Sequence, residues 1–210
     1  FKQVDPFFLI DLSTDSPKIL GALKIPGFSN YLQPYDKDHI IGIGKDTKEN
    51  EWGGIQTRGV KISMFDVSDF ENPKEIDTIV IGESSTDSEA LYNHKSLLLD
   101  KQQDVMSIPI KGEINDIFDG AKSGSQYNQW NGFFVYGFDQ NGFVEKGTIT
   151  HYTGDNYNFI YMPARTLYIG DTLYTIMDGS IKMNDIKNIS NEINSINIGS
   201  TGELVPYIDK

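Results

Sequence analysis

Short apolar runs alternate with polar clusters of Asp, Asn, Ser, Gly and Pro along almost the whole chain. The runs "HIIGIG" (39–44), "SLLLD" (96–100), "VMSIPI" (105–110) and "TLYTIMDG" (172–179) are rich in β-branched residues and too short for helices. Patterns of helical period are almost absent, so the chain reads as all-β. "SLLLD" and "HIIGIG" lack the strict alternation of a sheet with one wet face, which predicts strands covered on both sides. One phrase recurs. "MFDVSDFENPKEIDTIVIG" (64–82) returns as "MNDIKNISNEINSINIG" (183–199), opens the chain as "LIDLSTDSPKILGALKIPG" (9–27), and survives in worn form as "VYGFDQNGFVEKGTI" (135–149).

Each phrase supplies two strands joined by a tight acidic or Asn-Pro turn, and two further runs precede it in each period. The repeating unit is therefore four short strands, a to d. Asp11 to Asp66 spans 55 residues, Asp66 to Gly137 spans 71, and Gly137 to Asp185 spans 48. Four-stranded propeller repeats run about 40–50 residues once insertions are removed. Radial stacking of such sheets is how a β-propeller covers both faces of each. A β-sandwich is the rival, but it gives no reason for the phrase to repeat. The expected fold is a β-propeller of four-stranded antiparallel blades, about three and a half in this chain. The boundaries read as strands c and d of a first blade (1–27), blades at 28–82, 83–150 and 151–199, and a tail or closing strand at 200–210. Propellers close with about four to eight blades. The expectation is a part of a larger ring, completed by the remaining blades of a parent chain or by a second copy. The start at Phe1 rather than Met agrees with a processed or excised piece.

The residues also carry a resemblance. "DPFFLIDLS", "SPKILGALKIPGFSNYLQPYDKDHIIGIG", "VKISMFDVSDFENPKEID" and "SEALYNHKSLLLDKQQDVMSIPI" resemble secreted β-propeller domain proteins of archaea and bacteria, distantly WD-like and with affinity to LVIVD-type repeats. The likeness is strongest from Asp5 to Ile110. It implies an exported or cell-surface propeller and no catalytic residues.

The expected a–b and c–d turns are short, whereas the d–a and b–c connections at 45–59, 83–95, 111–132 and 151–165 hold nearly all the excess length. Long connections gathered on one face of a repeat protein mark that face for binding. The candidate ligand contacts there are Trp52, Arg58, His94, Lys95, Tyr127, Trp130, His151 and Arg165. Aromatics with sparse cations suit a protein or carbohydrate ligand. Aligning strand a across blades sets Lys95 and Arg165 at the mouth of the central channel, as an anion spot or paired with Glu89 or Asp155. The leading reading is a non-catalytic extracellular recognition or scaffold module. The alternative is a propeller hydrolase or metal-assisted enzyme at the channel mouth, using His94, His151 and acids such as Glu89 or Asp155.

Composition narrows the classes. Asp and Glu number 30 against 18 Lys and Arg, a net charge of −12. That repels nucleic acid and anionic membrane surfaces, whose binding rests on basic patches. No run of about 18 apolar residues occurs, so membrane insertion is not expected. With no cysteine, the chain has no disulfide, thiolate metal site or cysteine nucleophile. His94, His151, Asp87, Glu89 and Asp155 share a face but lack HxH or HExxH spacing. No metal and no cofactor are therefore expected. "DQNGF" (139–143) reads as a hairpin turn at Asn141-Gly142 rather than a calcium loop. Asn188-Ile189-Ser190 is a glycosylation-type triplet, weakly consistent with export.

Overall fold

A computed structural model describes residues 6–113, 117–118, 129–154 and 163–198. Among the described residues the named elements are 14 strands and two 3-10 turns, Glu89–Leu91 and His94–Ser96. Strands β1 (Phe7–Asp11) and β2 (Lys18–Leu23) form an isolated pair. β3 (Phe28–Pro34), β4 (His39–Glu49), β5 (Ile55–Asp66) and β6 (Lys74–Ile81) form one antiparallel meander. β7 (Leu98–Asp100), β8 (Val105–Glu113), β9 (Gln129–Asp139) and β10 (Gly142–Gly154) form a second. β11 (Arg165–Ile169), β12 (Thr172–Met177), β13 (Ser180–Asp185) and β14 (Asn188–Asn197) form a third. This is a c–d pair followed by three a-b-c-d blades, the three and a half expected.

The blades pack face to face. Ile41, Ile43, Val60, Ile62 and Met64 of β4 and β5 meet Met106, Ile108, Ile110, Phe134 and Tyr136 of β8 and β9. The intervening residues of that middle blade, Val105, Phe133 and Val135, point the other way onto Leu173, Met177, Ile186 and Ile189. Period-2 alternation therefore holds on β8 and β9, but both faces are apolar, which is why no polar face shows in the sequence. Each fully buried Ile or Phe contributes on the order of 1.5–3 kcal/mol relative to exposure. Side-chain hydrogen bonds add to this burial between blades: Asp77 Oδ2 accepts the Phe143 N–H at 2.8 Å, and Asn131 Nδ2 donates to Asp178 Oδ2 at 2.9 Å. Outer strands meet outer strands, β10 lying against both β6 and β14, and the inner β7 lies against β11. That is radial stacking.

The recurring aspartates close the c–d turns. Asp11 Oδ1 accepts the Ser13 N–H at 2.8 Å, Asp66 Oδ1 that of Ser68 at 2.9 Å, and Asp185 Oδ1 that of Lys187 at 2.9 Å. Asp139 does the same for Asn141 at 2.7 Å. The worn copy thus keeps its cap at Asp139, the end of β9, and the sequence alignment that set Gly137 there is two residues off. The turn itself is Gln140-Asn141, since Gly142 already pairs with Asp139. The a–b turns use the same device at Asp36 and Asp100. Hydrogen bonds to the ionised form hold the Asp11, Asp66 and Asp100 carboxyls below their usual range. Part of the acidity is therefore structural.

Much of the excess length is strand rather than loop. β4 and β5 stay paired out to Glu49 and Ile55, and β8, β9 and β10 stay paired to Glu113, Gln129 and Gly154. The b–c connection of the first complete blade is thus a projecting hairpin. Its base is tight: a Cβ on Gly44 would lie 1.8 Å from the Phe28 carbonyl oxygen. Gly44→Ala must push β3 off β4, and an overpacking loss of about 1–3 kcal/mol is expected in chemical denaturation. An unchanged midpoint would refute this contact.

Candidate ligand-binding face

In each blade the d–a and b–c connections emerge on the same side, as the meander order requires. Three of the eight candidate residues, Trp130, His151 and Arg165, turn out to be held by the fold, each in its own way. Trp130 is 2% exposed. Its Nε1–H donates to Thr150 Oγ1 at 3.1 Å, and its ring meets Phe118 and Phe134 edge-on. It pins β9 to the blade and offers a ligand almost no surface. His151 is enclosed between β10 and the last blade, Nδ1 2.6 Å from Ser180 Oγ and Nε2 2.8 Å from Thr175 Oγ1. Desolvation, aided by Lys182, pushes its pKa down to about 4, so the ring is neutral at physiological pH.

Arg165 pairs with the buried Glu89: Nη1 lies 3.3 Å from Glu89 Oε1 and also donates to the Ala164 carbonyl. Glu89 in turn accepts the Ala164 N–H at 2.8 Å and the Asn93 side chain at 2.6 Å. The ordinary pairing offered from sequence is therefore the one present. Lys95 is exposed in the His94–Ser96 turn ahead of its strand, whereas Arg165 is the first residue of β11, so the two are not equivalent. His94 is exposed and stacks on Tyr31 with ring centroids 6.3 Å apart. Tyr127 and Asp155 lie outside the described residues. Among the described residues no group of three or more His, Asp or Glu could hold a metal ion.

What remains is concentrated on the β4–β5 hairpin. Trp52 stands at its tip, 93% exposed. The tip is built by Asn50, whose Oδ1 accepts the Trp52 and Gly54 N–H groups at 3.0 and 2.8 Å, while its own N–H donates to the Gly54 carbonyl at 2.7 Å. A left-handed φ of 73° at Gly53 completes the turn, a conformation that favours glycine. Down the hairpin flank runs an open groove of about 480 Å³ lined by Lys48, Gln56, Thr57, Arg58, Glu83 and Ser84. Arg58 and Glu83 form a two-pronged pair, with Nε to Oε2 at 2.9 Å and a second bond from Nη2 to Oε1. The pair holds the Glu83 carboxyl below and the guanidinium above their ordinary values. Such a groove presents amide, hydroxyl, guanidinium and carboxylate groups together. Of its members only Arg58 was legible beforehand. The signal for Gln56 and Thr57 was the polar run of "IQTRG", visible only once β5 is known to begin at Ile55.

A c–d pair followed by three antiparallel four-stranded sheets, stacked radially with one projecting hairpin, defines a blade-repeat protein. The chain belongs to the beta propeller domain family, whose model matches residues 1–189. It is similar to an uncharacterized protein of Archaeoglobus fulgidus, 41% identical over 125 residues, 58% of this chain and 18% of that protein. It is also similar to an uncharacterized protein of Methanocaldococcus jannaschii, 37% identical over 110 residues, 52% of this chain and 16% of that protein. The chain thus spans less than a fifth of each of these relatives. No solved structure matches it.

Proposed function

We propose that the chain is a non-catalytic, exported recognition or scaffold module that binds a protein or carbohydrate ligand on its hairpin-bearing face. The observation that carries the reading is Trp52, an indole almost wholly in solvent on a turn pinned by Asn50. Exposing a tryptophan wastes its apolar surface unless a partner covers it, and a preset turn lowers the ordering cost of binding. The neighbouring polar groove gives that partner directional contacts at Arg58, Glu83 and Gln56. The enzyme alternative gains no converging set of groups, because Glu89 and His151 are each committed to neighbours.

Trp52→Ala tests this. Its exposure predicts a stability change within about 0.5 kcal/mol. Loss of an anchoring tryptophan is worth about 2 kcal/mol or more, roughly thirty-fold in affinity. Titration of both proteins with soluble polysaccharides and candidate surface proteins is followed by calorimetry, and Trp52 emission reports the same site in the native chain. A ligand held equally well by Trp52→Ala would sink the assignment.

A further inference from the structure

In the second and third complete blades strand d accompanies strand c back to its b–c end. β10 pairs Tyr152, Thr153 and Gly154 with Asn131, Trp130 and Gln129 of β9, and β14 pairs Asn197 with Ser180, the first residue of β13. The β4–β5 hairpin is different. There β6 ends at Ile81 opposite Val60, and Gly82, with a left-handed φ of 69°, turns the chain away. Gly59 marks the point of departure: a Cβ on it would lie 2.2 Å from the carbonyl oxygens of Ile81 and Gly82. Among the described residues Ile55, Gln56 and Thr57 are therefore paired with β4 on one side and with no strand on the other.

The polar groove beside the hairpin follows this bare edge. Gln56, Thr57 and Arg58 are consecutive, so their side chains point alternately to opposite faces of the strand, yet all three line it. A groove on one face would meet every second residue, whereas one along the backbone edge meets them all. Its far wall is Glu83 and Ser84, held in place by the two-pronged Arg58–Glu83 pair. An unpaired strand edge offers main-chain donors and acceptors to an incoming extended segment. Here the edge is set before binding, because Asn50 fixes the turn that closes the hairpin.

We propose that the outer edge of β5 from Ile55 to Arg58 is a strand-addition site for an extended peptide segment of a protein partner, lying where strand d lies in the next blade. The assignment rests on the recognition reading above and chooses a polypeptide over a carbohydrate, since a sugar has no row of amides and carbonyls spaced to match a strand. The chain itself shows what occupies the equivalent place: "THYTG" (150–154) at the end of β10 is extended and carries no Lys, Arg, Asp or Glu. The partner segment is accordingly polar, extended and free of proline, which could not donate to the ladder.

The probes are a synthetic peptide of residues 147–154 and peptides selected from a random library on the native chain. Hydrogen exchange is read at the β5 amides that point away from β4. The expected result is at least ten-fold slower exchange at those amides, with β8 unchanged. N-methylation of every second peptide amide should weaken binding by about five- to ten-fold per methyl group, as loss of a main-chain hydrogen bond requires, and methylation of the intervening amides much less. If neither the 147–154 peptide nor any selected peptide protects the edge, or if methylation is equally harmless at both sets of amides, the proposal is overturned. Protection by a soluble polysaccharide alone also overturns it, making a carbohydrate the occupant. Trp52→Ala separates this site from the broader reading. A partner that this variant loses, but that leaves the edge unprotected in the native chain, ends the strand-addition site and keeps the tryptophan face. A peptide that protects the edge equally in Trp52→Ala keeps the site and ends the tryptophan assignment.

Discussion

Trp130→Ala is expected to cost about 3–5 kcal/mol of folding stability, the range for truncating a buried tryptophan whose cavity only partly collapses. The side chain is 2% exposed and touches three elements of its surroundings at once. It meets Phe118 at 5.3 Å and Phe134 at 5.6 Å between centroids, donates to Thr150 on β10, and passes close to Gly132, where a Cβ would come within 2.8 Å of the ring. Removing it empties the junction of β9 with β10 and leaves Thr150 Oγ1 without this donor. For a chain of this length the loss lowers the thermal midpoint by on the order of 10 °C. Trp130→Phe retains the apolar contact and should lose less. A calorimetric change below about 1 kcal/mol would show that the indole is not structural and return it to the ligand face.

His151 makes stability depend on pH between 4 and 6.5. In the folded protein its pKa is about 4, against an ordinary 6.5 in the unfolded chain. The unfolded state therefore binds the proton more readily throughout that window, and stability rises with pH across it. The contribution is fully present above 6.5 and is drained as pH falls toward 4, by about 3 kcal/mol in all. The cause is geometric: the ring sits against Phe133 at 5.4 Å, is bracketed by Ser180 and Thr175, and faces Lys182, with Glu192 as a weaker opposing charge. Below 4 the turn-capping aspartates add their own acid sensitivity, because their folded-state pKa values are depressed. Denaturant melts at pH 7 and pH 4.5 should differ markedly for the native chain and much less for His151→Gln. Equal slopes in the two proteins, or an NMR titration of the ring near 6.5, would contradict it.

The blade architecture was legible because it is repeated. A four-strand unit written three and a half times leaves recurring Asp and apolar marks, with Pro in two of the four copies, and these marks survive when any single strand is ambiguous. The candidate site was harder to read for a physical reason. Trp130, His151, Trp52 and Arg58 all fall in the long d–a and b–c segments, and composition alone does not distinguish strand extension from loop. Once β8, β9 and β10 are seen to remain paired past Lys111, Asn131 and Thr150, Trp130 and His151 become packing residues. Trp52 escapes the same fate only because the hairpin turns at Asn50–Gly54. Register decides which aromatics face water, and a one-residue change in strand position reverses it. Glu89 was visible as a nearby acid, but its role in tying Ala164, Arg165 and Asn93 together depends on residues 75 positions apart.

Among the described residues only the sheet of β7 to β10 has a complete four-stranded neighbour on each side. Resistance to opening should accordingly fall away from the centre of the arc toward both flanks, with β14, exposed along nearly all its length, among the first segments to fray. A protease attacking the native protein would then nibble from the outside and leave a persistent central fragment, so that digestion itself ranks the blades by how well each is shielded.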